Sequence, residues 1–445
     1  MTGDERGITR RDFRGRASAA GLGVALGGTL PAARARPARS ASEKVVVAVI
    51  GLNGRGMVHA ENFARLPNSE VAYLCDVDRT VLGKAAATLK QGRAPAAIED
   101  FRRALDDRSV DAVSIAAPDH WHTPMAILAL KAGKHVYLEK PCGHNAREGE
   151  LLVAAARKYG RHVQQGSQQR SSARTIEALQ MIREGAIGAP YMVRAWYANS
   201  RGGIGHGKPA PVPATLNYEL WQGPAPRTAY RDNVVHYNWH WFRRWGTGEI
   251  CNNGTHEIDI ARLALGVDHP VSVTSSGGRY HFRDDWEFPD TQDVVFEFAG
   301  GKRIVWQGQS CNGLKPFDRG RGTAIFGTSG SMILDRDGYL LYDVKQKPVK
   351  ENLEPKRTNG VELTGDDLAT SQHMENFLGA IRTGETLRAP IADGAKSVHL
   401  CHLGNIAQLT GTKLRIDSTN GHIMGDDDAM QYWSRSYAPG WAPTV

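Results

Sequence analysis

A run of six apolar residues, Val45–Ile50, stands between Lys44 and Gly51 and does not alternate with polar positions. Such a short, mostly β-branched run predicts a strand that is buried on both faces, as in a parallel sheet. A glycine-rich segment follows at 51–56, then a segment compatible with a helix at 57–66, and a second apolar run at 70–74. The pattern therefore predicts a βαβ unit with a tight first turn.

The turn and the acid after the second strand are typical of dinucleotide binding. Gly51, Gly54 and Gly56 would let backbone N–H groups approach a pyrophosphate at a helix N-terminus, and Asp76 could accept a hydrogen bond from a ribose hydroxyl. Asn53 stands where the pattern has glycine, although asparagine tolerates a left-handed backbone better than most residues. A plain βαβ turn that binds nothing is the alternative.

The succession of apolar strands and helical segments continues along the first domain, for which we predict the bounds 45–165. Apolar runs at 112–116 and 135–138 predict two more internal strands, and each is followed by a polar cluster, at 118–124 and 139–141. The carboxyl ends of parallel strands meet at one edge of a sheet, where ligands bind in such folds. We therefore expect the glycine turn and both polar clusters to lie together.

The second half of the chain changes in composition. Longer, alternating and often aromatic segments predict an open, mainly antiparallel sheet with helices on one face; they lie at 191–197, 271–274, 294–298, 303–307 and 331–334. The predicted fold class is α/β, with an N-terminal Rossmann domain and a C-terminal α+β domain at 166–420. The pattern does not assign the C-terminal extension, 421–445, to either domain.

The N-terminus predicts an export signal. Arg10 and Arg11 form a twin-arginine motif, a mildly apolar stretch follows at 17–30, and 33–35 offers a small-x-small cleavage site. We expect a signal peptide at 1–35 and a linker at 36–44, hence a periplasmic or secreted protein. The leader holds about +3 of the formal net charge of +8. The remainder predicts no nucleic-acid partner, and no later segment predicts a membrane span.

Three segments together resemble one family. The glycine turn, the His120-Trp121-His122-x-Pro124 segment and Glu139-Lys140-Pro141 are similar to the Gfo/Idh/MocA oxidoreductases, which include glucose–fructose oxidoreductase and inositol dehydrogenase. The resemblance covers nearly all of the chain after the leader and implies that Lys140 lies beside the nicotinamide and the substrate hydroxyl. Considered without the other two segments, Lys140 could be a surface lysine at the end of a strand. The candidate cofactor-binding residues are Gly51, Asn53, Gly54, Arg55, Gly56, Asp76, Pro118, His122 and Glu139.

A second motif lies at 246–259, where the family has a helix bearing Asp-x-Gly-x-His-x-x-Asp. His256 and Asp259 match it, whereas Asn252 replaces the first acid and cannot serve as an ionised partner. On one continuous helix these three residues share a face, so we expect them to converge on the substrate. The resemblance makes His256 the acceptor of the proton from a sugar hydroxyl, and a packing histidine is the alternative.

An aromatic-rich stretch at 237–245 predicts the substrate class. Aromatic faces stack on pyranose rings, so we expect a carbohydrate, with Trp239 and Tyr197 among its contacts; a sheet–helix core is the other interpretation. The family's closing helices resemble the segments at 373–381 and 397–409, which we expect to support the second domain. An open sheet face would need covering, which predicts a homodimer or homotetramer.

The cofactor is expected to be NAD, because Asp76 would repel a 2′-phosphate, although Arg79 leaves NADP open. The sequence contains no Cys/His cluster of the kind that predicts a metal site. Its five cysteines cannot be assigned to disulfides from the sequence alone. Three function classes remain: a periplasmic sugar oxidoreductase that holds its cofactor tightly, a redox-assisted glycoside hydrolase of the same fold that uses NAD, and a binding module without chemistry.

Overall fold

Two β-sheets organise residues 44–354 and 368–445, which are the residues that this computed structural model describes. The predicted signal peptide, 1–35, lies outside the described residues, as does the linker up to residue 43. Within the described ranges, no helix combines the length and the apolar composition that a membrane span requires.

The first sheet contains six parallel strands. They are β1 Val45–Ile50, β2 Ser69–Cys75, β3 Ala96–Ile98, β4 Ala112–Ile115, β5 His135–Leu138 and β6 Val163–Gln165. Their order is β3-β2-β1-β4-β5-β6, so the chain reverses direction across the sheet between β1 and β4. Such a switch point opens a crevice at the carboxyl ends of the strands. The predicted Rossmann topology is therefore confirmed.

The five helices that connect these strands pack on the faces of the sheet. They are α1 Arg55–Arg65, α2 Arg79–Thr88, α3 Arg102–Asp106, α4 His122–Lys131 and α5 Ala146–Tyr159. All six residues of β1 are apolar, and five of them are buried, because helices pack on both of its faces. This is the reason that β1 shows no alternation in the sequence.

The second sheet contains nine strands in the order β14-β13-β12-β11-β7-β10-β9-β8-β15. Their bounds are β7 Pro190–Ala198, β8 Ser272–Gly278, β9 Thr291–Phe298, β10 Lys302–Gln309, β11 Arg321–Gly327, β12 Gly330–Leu334, β13 Gly338–Asp343, β14 Pro348–Leu353 and β15 Leu414–Arg415. Only β7 and β10 pair in parallel among these neighbours. The prediction of a mainly antiparallel sheet is confirmed.

One face of the second sheet packs on helices. The remaining helices are α6 Ala173–Arg183, α7 Tyr218–Gln222, α8 Gly248–Asn252, α9 Gly254–Leu265, α10 Leu368–Thr383, α11 Ile391–Thr410 and α12 Asp427–Met430. In β9, Val294, Phe296 and Phe298 are buried in this core, whereas Asp293 and Glu297, which point to the opposite face, are exposed. The alternation of the sequence therefore reflects a strand that is covered on one side.

The two closing helices do not both belong to the second domain, and this corrects the sequence prediction. In α10, Met374 and Phe377 are buried in a cluster with Val47 and Phe63 of the first domain. The helix α11 runs between the two cores, since Val398 packs in the first-domain core and Leu403 in the second. An apolar stripe predicts that a helix is buried but does not determine which sheet it covers.

The C-terminal extension packs on both domains: Ile423, Ala429 and Trp433 are buried in the second-domain core, and its later part contacts the first domain. The Arg435 guanidinium donates to the buried Glu148 carboxylate at 2.9 Å and to the His120 carbonyl oxygen at 2.6 Å. Further along, the ring of Trp441 meets that of Trp121 edge to face, with centroids 4.9 Å apart. The extension therefore supports the loop that joins β4 to α4.

Candidate active site

The turn between β1 and α1 requires glycine at two positions for steric reasons. A Cβ on Gly51 would lie 2.7 Å from the Ala116 carbonyl oxygen, and one on Gly56 would lie 1.6 Å from the Gly51 carbonyl oxygen. Gly54, with φ of +87°, has no neighbour within 4 Å of such a Cβ, so only its backbone conformation favours glycine there. Asn53 and Gly54 are exposed at the start of α1. The turn thus offers an open backbone surface at a helix N-terminus.

Asp76 lies beside this turn, at the end of β2. Its carboxylate accepts hydrogen bonds from the backbone N–H of Leu52 at 2.7 Å and of Asp78 at 2.9 Å. Burial raises the pKa of Asp76, and these two N–H groups oppose that rise. The predicted ribose partner is therefore held in a defined orientation next to the glycine turn.

Glu139 connects the end of β5 to α1. Its carboxylate accepts from Arg55 Nε at 2.9 Å, from Gln168 Nε2 at 2.8 Å, and lies 3.0 Å from His59 Nε2. Burial alone would raise the pKa of Glu139, but the Arg55 charge and the His59 hydrogen bond hold it well below its usual value. Both Glu139 and Arg55, which were predicted to bind cofactor, are thus fixed by each other at this edge.

His122 joins the ends of β4 and β5. Its Nδ1 lies 2.5 Å from the Pro141 carbonyl oxygen and its Nε2 lies 2.8 Å from that of Ala117, next to the half-buried Pro118. In the same loop, the Asp119 carboxylate accepts from the Thr247 hydroxyl at 2.5 Å. The expected meeting of the glycine turn and both polar clusters at one sheet edge is confirmed.

Lys140 reaches from this edge to the second domain. Its Nζ donates to the Asn252 backbone carbonyl at 2.6 Å and lies 3.3 Å from the Asn252 side-chain oxygen. Burial lowers the pKa of Lys140, while the charges of Glu139 and Asp119 oppose that decrease. The ammonium is therefore oriented by the motif that carries His256.

The helix across this motif is broken, which corrects the prediction of one continuous helix. The helix α8 ends at Asn252 and α9 begins at Gly254, where a Cβ would lie 3.0 Å from the Trp306 ring. Asn252 and His256 consequently stand on two helices that meet at Asn253. The intervals i, i+4 and i+7 do not describe their arrangement.

His256 is nearly buried at the start of α9, and no hydrogen bond to its imidazole occurs among the described residues. Burial, then the charges of Arg336, Lys140 and Arg321, lowers the pKa of His256 well below 6.5. The ring is therefore neutral near pH 7 and able to accept a proton.

Asp259 is not brought to the site. It is 1% exposed, and its carboxylate accepts from Arg170 Nε at 2.7 Å, from Arg170 Nη2 at 2.5 Å and from the Ser397 hydroxyl at 2.5 Å. The seven-residue spacing from Asn252 placed it on the substrate face only if the helix were continuous. The pairing of its carboxylate with the buried Arg170 explains this position.

Glu249 supplies a carboxylate that sequence reasoning missed. Its Oε1 lies 3.4 Å from Asn252 Nδ2 and 2.5 Å from Asn253 Nδ2, and its Oε2 accepts from Arg201 Nε at 3.0 Å. The signal was available, since Glu249 precedes Asn252 by three residues, the spacing of helix neighbours. An acid thus stands one turn before the position at which the motif lacks one.

The predicted aromatic contacts lie close to these residues. The Tyr197 hydroxyl accepts from Asn199 Nδ2 at 2.6 Å and from Arg201 Nη2 at 3.3 Å. Trp239 is buried and stacks on His240, with ring centroids 3.6 Å apart. Tyr197 is therefore tied to the polar network of the site, whereas Trp239 is packed in an aromatic cluster with Trp221 and Trp245.

His240 is a second histidine near Lys140 that was given no role from the sequence. Desolvation lowers its pKa to about 3, the Lys140 and Arg201 charges add to this effect, and its hydrogen bond to the Tyr237 carbonyl opposes it. The residue stood in the aromatic-rich stretch, where its surroundings masked it. Two neutral histidines therefore lie near Lys140.

Among the described residues, no group of three or more His, Cys, Asp or Glu side chains is arranged to hold a metal ion.

Comparison with known proteins identifies both domains. Residues 45–167 match the Gfo/Idh/MocA model described as an oxidoreductase family with an NAD-binding Rossmann fold, and 179–353 match the model of its C-terminal alpha/beta domain. The two segments together make up more than half of the chain. The domains that bear Lys140 and His256 therefore match the models of one family.

Curated relatives match shorter stretches. An inositol 2-dehydrogenase of Rubrobacter xylanophilus is 33% identical over 36% of this chain and 46% of its own length. A glycosyl hydrolase family 109 protein of Saccharopolyspora erythraea is 31% identical over 42% of this chain and 46% of its own length. The chain thus spans less than half the length of these two relatives.

Solved structures share the fold. A crystal structure of aldose-aldose oxidoreductase from Caulobacter crescentus complexed with glycerol superposes with a TM-score of 0.63, at 20% identity, over 84% of this chain and all of that chain. At that identity the similarity concerns the fold alone.

Proposed function

Because the chain belongs to the Gfo/Idh/MocA oxidoreductase family, whose Rossmann domain binds NAD, we propose that it is a periplasmic enzyme that oxidises a hydroxyl of a sugar or sugar derivative. The observation that carries the proposal is the Lys140 ammonium, held 2.6 Å from the Asn252 carbonyl beside the neutral His256. A proton donor and a proton acceptor are thus placed together at the carboxyl edge of the nucleotide-binding sheet.

The residues present fit a dinucleotide. Gly51 and Gly56 cannot carry a side chain, and the exposed backbone around Gly54 leaves the helix N-terminus accessible to a pyrophosphate. Asp76 is the group for the ribose, and its negative charge favours NAD over NADP. When bound, the nicotinamide supplies hydride acceptance.

Each protein group has a separate task in this reaction. As the hydroxyl carbon loses hydride, His256 takes the hydroxyl proton, and the Lys140 ammonium stabilises the negative charge that develops on the same oxygen. A preorganised donor of this kind contributes on the order of 3 kcal/mol to lowering the barrier. The product is a carbonyl compound, the proton is on His256, and a bound NAD would accept the hydride.

Export determines how the cofactor is used. The twin-arginine leader is typical of proteins that leave the cytoplasm already folded. Outside the cytoplasm there is no pool of nicotinamide cofactor with which the enzyme could exchange. We therefore propose that NAD is captive and is restored within the site by a second sugar or another acceptor. Denaturing the purified protein and identifying the released nucleotide by mass spectrometry tests this directly. About one NAD per chain supports it, and an empty protein that binds NAD weakly contradicts it.

The role of Lys140 is tested by Lys140→Ala, with Lys44→Ala as the control on an exposed ion pair with Glu70. Turnover of sugars should fall to background in the first variant, while the nucleotide content stays unchanged. Near-normal activity would remove Lys140 from the mechanism. Unchanged activity of Lys44→Ala would show that loss of a lysine charge does not by itself abolish turnover.

A redox-assisted glycoside hydrolase is the second candidate, and the similarity to glycosyl hydrolase family 109 proteins favours it. In that reaction, transient oxidation of a ring hydroxyl acidifies the neighbouring C–H, the aglycone is eliminated, water adds, and the hydride returns to the sugar. Incubation with a panel of aryl glycosides separates the two. Release of the phenol without net oxidation supports the hydrolase, and oxidised sugar with the glycosidic bond intact supports the oxidoreductase.

We further propose that two or four copies associate through the outer face of the second sheet, where Asp293, Glu297 and other polar side chains of the strands are exposed. Light scattering of the purified protein should give twice or four times the chain mass. A monomer at micromolar concentration would contradict this proposal.

A further inference from the structure

A cavity of about 370 Å³ lies next to the candidate active site. Its walls include Arg201, Asn199, Asn238 and the rings of Tyr237 and Trp241. Small-molecule pockets have volumes of roughly 300–1,000 Å³, so this one suits a single small ring. The proposed mechanism uses none of these five side chains.

The cavity connects to the reacting groups through Glu249. Its carboxylate accepts from Arg201 Nε on the cavity side at 3.0 Å and lies 3.4 Å from the Asn252 amide, which in turn contacts Lys140. Tyr197 makes a second connection, since its hydroxyl accepts from Asn199 and Arg201. A ligand that occupies both places would therefore extend from Lys140 across Glu249 into the cavity.

The walls combine one exposed aromatic ring, that of Tyr237, with hydrogen-bonding groups. The Arg201 guanidinium lies 5.2 Å from the Trp241 ring centroid and donates to the Tyr237 hydroxyl at 2.8 Å. Tyr237 is 50% exposed, so its ring is accessible from the cavity. Among the described residues, no hydrogen bond uses the side-chain oxygens of Asn199 or Asn238. Such walls suit a ring with apolar faces and hydroxyl groups at its edge.

The charge of the cavity indicates which ring. Arg201 is the cation of the wall, and its partner Glu249 is a buried carboxylate at 3.0 Å, so the pair carries no net charge. An anionic ligand would gain little from a cation that is already paired. A neutral, hydroxylated ring does not need an unpaired cation. Its hydroxyl groups can donate hydrogen bonds to the side-chain oxygens of Asn199 and Asn238.

We propose that this cavity is a subsite for the second pyranose ring of a neutral disaccharide, whose first ring binds at Lys140 and His256. The proposal deepens the proposed function and rests on it, because it takes the position of the first ring from that mechanism. It names a neutral disaccharide or longer oligosaccharide, instead of a free monosaccharide, as the preferred substrate.

The test compares glucose with cellobiose, maltose and lactose as probes on the purified holoenzyme. Tyr237→Ala removes the exposed wall, and Tyr191→Ala is the matched control, since Tyr191 is 47% exposed at the opposite end of β7 from Tyr197. Wild-type protein should show at least one disaccharide with kcat/KM about tenfold above glucose. Tyr237→Ala should reduce that ratio about tenfold through KM, and Tyr191→Ala should leave it unchanged.

Calorimetric titration of the same disaccharides distinguishes failure of the subsite from failure of the proposed function. Disaccharide binding that Tyr237→Ala weakens, without turnover of any sugar, would overturn the proposed reaction and support the subsite. Turnover in which glucose equals every disaccharide, or in which Tyr237→Ala acts no differently from Tyr191→Ala, would overturn the subsite. Preference for a phenyl glucoside over all disaccharides would also overturn it, because the cavity would then bind an aromatic aglycone.

Discussion

The Asp259 carboxylate is expected to stabilise the fold and not to bind substrate, and Asp259→Asn tests this. The carboxylate is buried against Arg170, whose side chain is 6% exposed. An amide in its place keeps the shape but presents an N–H group to one of the Arg170 donors. Removing one partner of a buried pair costs about 3–5 kcal/mol in the free energy of unfolding. Asp393 still contacts Arg170 at 2.6 Å, so we expect about 3 kcal/mol.

The assay is urea unfolding at pH 7, followed by circular dichroism. Glu61→Gln is the control, because it removes the same charge from a carboxylate on the surface of α1 that is 29% exposed and pairs at 3.8 Å with Arg65, which is 59% exposed. Exposed pairs contribute about 0–1 kcal/mol, so the control should unfold near the wild-type midpoint. The sugar KM of folded Asp259→Asn should change little compared with the loss of stability.

One result would refute this reasoning. If Asp259→Asn unfolds at the wild-type midpoint and loses sugar affinity, then Asp259 faces the substrate, as the motif in the sequence indicated. The Arg170 contact would in that case contribute nothing measurable to the free energy of unfolding.

Three further outcomes are expected. Asp76→Asn should change the nucleotide released on denaturation from NAD alone to a mixture of NAD and NADP, and an unchanged composition would mean that the ribose is held elsewhere. His256→Ala should reduce kcat by about 10²–10⁴, and wild-type kcat should show no fall near pH 6.5, because burial holds the pKa of His256 well below that value; a wild-type inflection at 6.5 that this variant abolishes would contradict the assignment. The free energy of unfolding should decrease as the pH falls from 6.5 towards 4, because burial lowers the pKa of His373 and of His399 to about 4, so the unfolded chain binds more protons there. Equal urea midpoints at pH 7 and pH 5 would oppose this last expectation.

The sequence alone determined the first domain to a large extent. Strands buried on both faces leave uninterrupted apolar runs, and the first of these was recognised over its full length, Val45–Ile50. Gly51 and Gly56 are dictated by close backbone contacts within a few residues or between adjacent strand ends. The meeting of the turn with Glu139 and Lys140 followed from topology, since parallel strands bring their carboxyl ends to one edge. These features depend on local pattern and on a general rule of the fold.

Only the tertiary structure decided how the second half of the site is built. The break at Asn253 separates Asn252 from His256, and the buried Arg170 takes the Asp259 carboxylate. The spacing of residues along a helix cannot reveal a buried arginine that lies 89 residues away in the chain. The same holds for the packing of α10 on the first domain and for the contacts of the C-terminal extension. A pattern states that a face is apolar or that a group is charged, whereas its partner is selected by long-range packing.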